Sequence, residues 1–106
     1  MKVINCNLYN GWFVGDFKPN LIASEEIEFG YKKIPAGTYP DFHYHKHKTE
    51  YTILIEGKIE LQFNKKIITP ITTIVLYPNE KNDQHFIEDS LILIINTPSR
   101  TGDKHF

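Results

Sequence analysis

A chain of 106 residues, 41% hydrophobic and 24% charged, has room for one compact domain with one core, and such a composition excludes disordered and fibrous classes. Twelve Lys and Arg against 13 Asp and Glu give a formal charge of −1, which supplies none of the cationic field that nucleic acid or an anionic membrane surface demands. The lone cysteine, Cys6, allows no internal disulfide, Met1 to Gly15 lacks a signal-peptide apolar run, and Leu91 to Ile95 is far too short to span a bilayer; the expected location is cytoplasmic.

In chain order, short segments rich in Ile, Val, Phe, Tyr and Thr alternate with polar residues and stop at Gly, Pro and Asn, the pattern of strands rather than helices. The pattern predicts strands over Lys2 to Asn5, Trp12 to Phe17, Glu26 to Ile34, Phe42 to His47, Tyr51 to Glu56 and Lys58 to Phe63. Further strands are predicted over Ile67 to Thr69, Ile71 to Tyr77, Gln84 to Ile87 and Leu91 to Thr97. Turn chemistry separates them at Pro35-Ala36-Gly37, Tyr39-Pro40-Asp41, Glu56-Gly57, Asn64-Lys65-Lys66 and Pro78-Asn79-Glu80. Closely spaced strands of this kind point to an all-β sandwich or barrel, a single domain over residues 1–106. Phe13, Phe29, Tyr31, Phe63 and Tyr77 are expected to fill its core, and the Lys pairs at 32–33 and 65–66 to lie in solvent. The polar tail from Pro98 to Phe106 is expected either to be loose or to pack on a neighbouring subunit, with His105 mobile in it.

Chemistry concentrates between Gly37 and Gly57. On a strand, His43 and His45 project to the same side, close enough for two imidazoles to reach one ion. Glu50 lies an odd number of residues beyond His45, so it joins them only if Lys46 to Thr49 break the strand and Glu50 opens the next. His47 shares the parity of the pair, but a third imidazole roughly 7 Å further along is too distant from an ion held between the first two, which makes it a rim residue.

The spacing Gly37, five residues, His43-x-His45, four residues, Glu50, six residues, Gly57 resembles the first motif of the cupins, with every fixed position filled. From Trp12 to Gly102-Asp103-Lys104 the chain also resembles the minimal single-domain cupins of bacteria and their viruses. The resemblance implies a double-stranded β-helix, a jelly-roll barrel with the motif at its mouth. It also implies a divalent ion, iron, manganese, zinc or nickel, bound by His43, His45 and Glu50, with turn roles for Gly37 and Gly57. The second cupin motif is less regular: Pro78 is followed by Glu80 where the family has Gly, and counting without a gap puts Asn82 in the ligand position. A loop lengthened by a few residues instead makes His85 the fourth metal ligand, with Gln84 and Asn82 as competitors.

Two imidazoles and a carboxylate suit first-row divalent metals and leave positions open for water or substrate. The expected function is that of a metal-dependent enzyme acting on a small oxygen-bearing metabolite by dioxygenase, decarboxylase or isomerase chemistry. One alternative is a metal-free sugar-nucleotide ketoisomerase or epimerase using Tyr31, Tyr44 or Tyr51; another is a barrel that binds or senses a small ligand without turnover. Exposed N-terminal strands and the apolar run Trp12-Phe13-Val14 lead to the expectation of a homodimer.

Overall fold

The computed structural model describes all 106 residues and contains nine strands and no helix. They are β1 (Trp12–Gly15), β2 (Ile22–Ala23), β3 (Glu28–Ile34), β4 (Thr49–Glu56), β5 (Ile59–Leu61), β6 (Ile67–Ile68), β7 (Thr72–Leu76), β8 (Gln84–Phe86) and β9 (Ser90–Thr97). Six form a sheet in the order β2-β1-β3-β9-β4-β7, and β6-β5-β8 form a smaller one. A bridge between Thr38 and Phe86 ties the chain just ahead of the motif histidines to the small sheet.

The long strands alternate as their sequences require. Along β4, Glu50, Thr52 and Leu54 are buried while Tyr51, Ile53 and Ile55 are only half-buried. Along the central strand β9, Ser90, Ile92, Ile94 and Asn96 turn inward. Register stacks these inner residues in rows: Glu28, Asn96 and Glu50 form one row across β3, β9 and β4, and Gly30, Ile94 and Thr52 form the next. The cavity thus grades from charged at one end to apolar at the other, where Leu54, Ile59, Ile68, Phe86, Ile92 and Ile94 make the core.

Both motif glycines sit where a left-handed backbone is required. Gly37 has φ 86° with open space around it, whereas Gly57 has φ 105° and a Cβ there would meet Ser90 Oγ at 2.1 Å.

Several sequence expectations need correction. Lys2 to Asn5 is exposed coil, since no strand lies beside it. None of the five aromatic residues expected in the core is there. Phe13, Phe29 and Tyr31 are half-buried on β1 and β3, the last two alternating with the inward Glu28 and Gly30. Phe63 and Tyr77 are exposed because β5 ends at Leu61 and β7 at Leu76. Phe42 to His47 is not a strand: only Tyr44 makes a bridge, to His105. Phe42 takes a left-handed φ of 55° and the His43 N–H turns back to Asp41 Oδ1 at 3.1 Å, a local hydrogen bond that competes with a ladder. The short edge strand β2 falls between the predicted strands Trp12 to Phe17 and Glu26 to Ile34, and its two pairs with β1 are parallel.

Candidate metal centre

His43 and His45 still face the same way without a strand around them, because backbone hydrogen bonds hold the segment extended from both sides. The carbonyls of His43 and His45 accept from the N–H groups of Asn82 (2.8 Å) and Asn79 (2.6 Å), while Tyr44 exchanges two hydrogen bonds with His105. The chain then bends at Lys46 and His47, and Glu50 enters on β4. The break that the odd spacing demands is therefore present. His43, His45 and Glu50 bring their ligand atoms within 4.8 Å of one another. His47 is exposed and stands apart from them.

The imidazoles are oriented from behind. His43 Nδ1 meets Asp41 Oδ1 at 2.5 Å, and His45 Nδ1 donates to the Asp103 carbonyl at 2.7 Å. A carboxylate and a carbonyl only accept, so both Nδ1 atoms carry protons and both Nε2 lone pairs face inward. Glu50 Oε2 lies 3.1 Å from His45 Nε2 and 3.5 Å from His43 Nε2. Three acceptors thus converge on one small space, an arrangement that only a cation, a proton or a metal ion, makes favourable.

Titration follows from this convergence. Burial opposes ionisation of Glu50, but hydrogen bonds and charge from His43 and His45 outweigh it and bring the carboxyl from 4.5 down to about 2. His43 is raised despite its burial, through Glu50 and Asp41, and Asp41 is lowered in turn, its own burial outweighed by His43.

Asp103 is the residue that sequence reasoning missed most plainly. Its buried carboxylate accepts the N–H groups of Lys46 (3.1 Å), His47 (2.9 Å) and Lys48 (3.1 Å), shaping the bend between the histidines and Glu50. These backbone donors overcome its burial and lower its pKa. The tail around it is consequently ordered against its own site, which corrects the expectation of a loose tail and of a mobile His105, whose ring stacks on Tyr44. Asp41 was missed as well, although a carboxylate two residues before a candidate ligand is a readable signal.

His85 does not reach the cluster. On β8 the inward residues are Gln84 and Phe86, and His85 lies between them with its ring stacked on Tyr39 at 4.0 Å. Alternation allows only one of Gln84 and His85 to face the barrel, and it is Gln84 that lines the cavity beside His43 and Glu50. The expectation of His85 as fourth ligand is corrected accordingly. Asn82 supports rather than ligates: its N–H holds the His43 carbonyl and its side-chain oxygen accepts from the Gln84 N–H. Tyr31, Tyr44 and Tyr51, the candidate acid and base groups of a metal-free isomerase, line neither of the two cavities that meet at His43 and Glu50.

Two sheets closed around a cavity, with this motif at the charged end, define a cupin fold, the double-stranded β-helix. Solved structures agree. KdgF from a Halomonas species superposes with a TM-score of 0.65 at 20% identity, over 73% of this chain and 74% of that one. An RmlC-like cupin protein from Desulfovibrio desulfuricans gives 0.60 at 18% identity, over 71% and 74%. The DMSP lyase DddQ from Ruegeria pomeroyi gives 0.72 at 13% identity, over 97% of this chain but 55% of that one. No protein-family model matches the sequence, and no curated protein does.

Proposed function

We propose that this protein is a metal-dependent cupin enzyme, with one divalent ion bound by His43, His45 and Glu50 and a small oxygen-bearing metabolite as substrate. The observation that carries the reading is the convergence of two inward Nε2 lone pairs and one carboxylate oxygen, each imidazole fixed from behind by a hydrogen bond on Nδ1. A histidine oriented in this way is the usual arrangement around a bound metal. The mixed N/O donor set suits iron, manganese, zinc or nickel, and bound there the ion supplies Lewis acidity toward an oxygen-bearing ligand or, if redox-active, access to dioxygen chemistry.

The chain's own residues do the rest. Asp41 and the Asp103 carbonyl hold the imidazole tautomers, and Asp103 fixes the bend that delivers Glu50. Thr52 and Gln84 line the inner side of the cavity next to His43 and Glu50, where an amide or water completes the shell. DddQ, similar in fold, is a lyase, which supports enzyme chemistry over passive binding; dioxygenase, decarboxylase and isomerase reactions all fit an ion with open positions. The exposed apolar side chains of Leu21 and Ile22, at the β2 edge of the large sheet, support burial against a second copy in a homodimer.

Elemental analysis of protein purified without an affinity tag, followed by turnover assays on small acids, diketones and nucleotide sugars, tests this reading. Metal with turnover supports it. Metal and ligand binding without turnover favours the sensor alternative, and activity in metal-free protein favours the isomerase one.

A further inference from the structure

Of the buried polar side chains, all but two make a hydrogen bond or ion pair inside the protein. The exceptions are Thr52 and Gln84, both more than nine-tenths buried. Both line one cavity of about 390 Å³, which reaches from His43 and Glu50 into the barrel. Neither is sealed within the wall, since the only side-chain polar atom both closed off and unpartnered is Asn96 Oδ1. The Thr52 hydroxyl and the Gln84 carboxamide therefore stand free at the cavity surface.

Local structure aims both side chains there. Thr52 lies on β4 between Ile74 of β7 and Ile94 of β9, at an inward position of the strand's alternation. Gln84 opens β8, also facing inward. Asn82 ties it to the histidines: its side-chain oxygen accepts the Gln84 N–H at 3.0 Å, and its own N–H donates to the His43 carbonyl at 2.8 Å. Elsewhere the cavity wall is apolar, with Phe86, Ile92 and Ile94. A glutamine ordered in such a place gives up rotamer freedom and hydration with no return from the fold, and methionine would fill the same space without leaving polar atoms unpaired. Buried polar groups are nearly always satisfied, so two exceptions in one cavity mark a place where something else bonds to them.

The chemistry of the carboxamide selects the ligand. It has a donating end and an accepting end, and a ligand that displaces water from it loses affinity unless it replaces both hydrogen bonds. A ketone or a carboxylate only accepts and an ammonium only donates, so each leaves one end unmet. A second amide, with its N–H and C=O side by side, meets both at once. Lys32, Lys33 and Lys104 also line the cavity, but all three are exposed and Lys104 is paired with Asp41 at 3.3 Å, so they do not set the selection at depth. We propose that this cavity takes the end of a small substrate that carries a carboxamide or lactam edge, with Gln84 as the specificity-determining residue and the Thr52 hydroxyl as a second contact. The inference rests on the reading of a small substrate in this barrel, but none of its contacts involves the ion.

Butanamide, 2-pentanone and butanoate share a shape and differ in what they donate and accept, which makes them the probes. The isotope-labelled full chain, dialysed against chelator, would be titrated with each while the side-chain NH2 signals of Gln84 are followed by NMR; the same spectra show that the chain is folded. Butanamide is expected to shift those signals and to bind about fivefold more tightly than 2-pentanone or butanoate, the worth of one hydrogen bond. Gln84→Met should bring the butanamide-to-pentanone ratio close to one, and Thr52→Val should weaken butanamide by a smaller factor. Purified beside the wild type, Gln84→Met should hold as much metal. Equal binding of butanamide and 2-pentanone, Gln84 signals that butanamide does not move, or a preference that survives Gln84→Met overturns the proposal. Loss of metal from Gln84→Met overturns it too, since the amide then serves the ion. Should Gln84→Met fail to fold, the wild-type Gln84 signals and the wild-type ratio decide. Metal content separates the two readings: a chain that holds metal without an amide preference loses only this inference, and one with the preference but no metal loses only the metal centre.

Discussion

Asp41 and Asp103 do for the two imidazoles what neither histidine does for itself: they fix which nitrogen carries the proton. Asp41→Asn should therefore lower metal affinity about 10- to 100-fold, the usual worth of such a partner; competition with a chromophoric chelator measures it. The acid and alkaline limbs of metal-free stability have opposite origins. Glu50 is depressed, so its contribution is complete above 4.5 and is lost as pH falls toward about 2. His43 is raised, so its contribution is complete below 6.5 and is lost as pH rises through its elevated value. Thermal melts in excess chelator should show both losses. Added metal should abolish the alkaline one, since metal takes the place of the proton. His43, His45 and Glu50 were legible in the sequence because their spacing is local and parity restricts it. Asp103 was not, since its partners lie 55 to 58 residues away in the chain, and the reading of His85 failed because alternation on β8 says that only one of Gln84 and His85 faces inward, not which.

At the scale of elements, β4 and β9 were readable to within a residue or two, their alternation being enforced by a buried face. The ligand segment was misread as a strand although its side chains alternate as in one. Its support comes instead from the Pro78 to Asp83 loop on one side and the C-terminal tail on the other, partners that periodicity does not reveal. Removing residues 101–106 should accordingly cost both metal affinity and thermal stability, whereas a loose tail would leave both unchanged. Turns offer a sharper contrast. Gly57→Ala must displace Ser90 and hold a left-handed alanine, so it should destabilise by clearly more than about 1 kcal/mol. Gly37→Ala, with nothing within 4 Å of its Cβ, should cost only the backbone penalty, about 1 kcal/mol. Denaturant unfolding of the two variants checks the difference.

For the molecule as a whole, the core and the site occupy opposite ends of one barrel, and that separation decides what removing the ion does. Leu54, Ile59, Phe86 and Ile92 are buried without help from the ligand cluster, so the barrel should stay folded when the site is emptied. The fold class was legible from composition and strand pattern, while the small core and the exposure of Phe63 and Tyr77 were not, because an aromatic residue in sequence does not say whether its strand has already ended. Sedimentation at micromolar concentration tests the homodimer, a single monomer boundary contradicting it. The central claim is tested most directly by metal content per chain, measured on untagged wild-type protein and on His45→Ala after reconstitution and exhaustive dialysis, with circular dichroism on both. About one ion per wild-type chain, and a folded His45→Ala that retains little or none, is the expected result; a wild-type chain that binds no ion, or a His45→Ala chain that keeps a full equivalent, would contradict it.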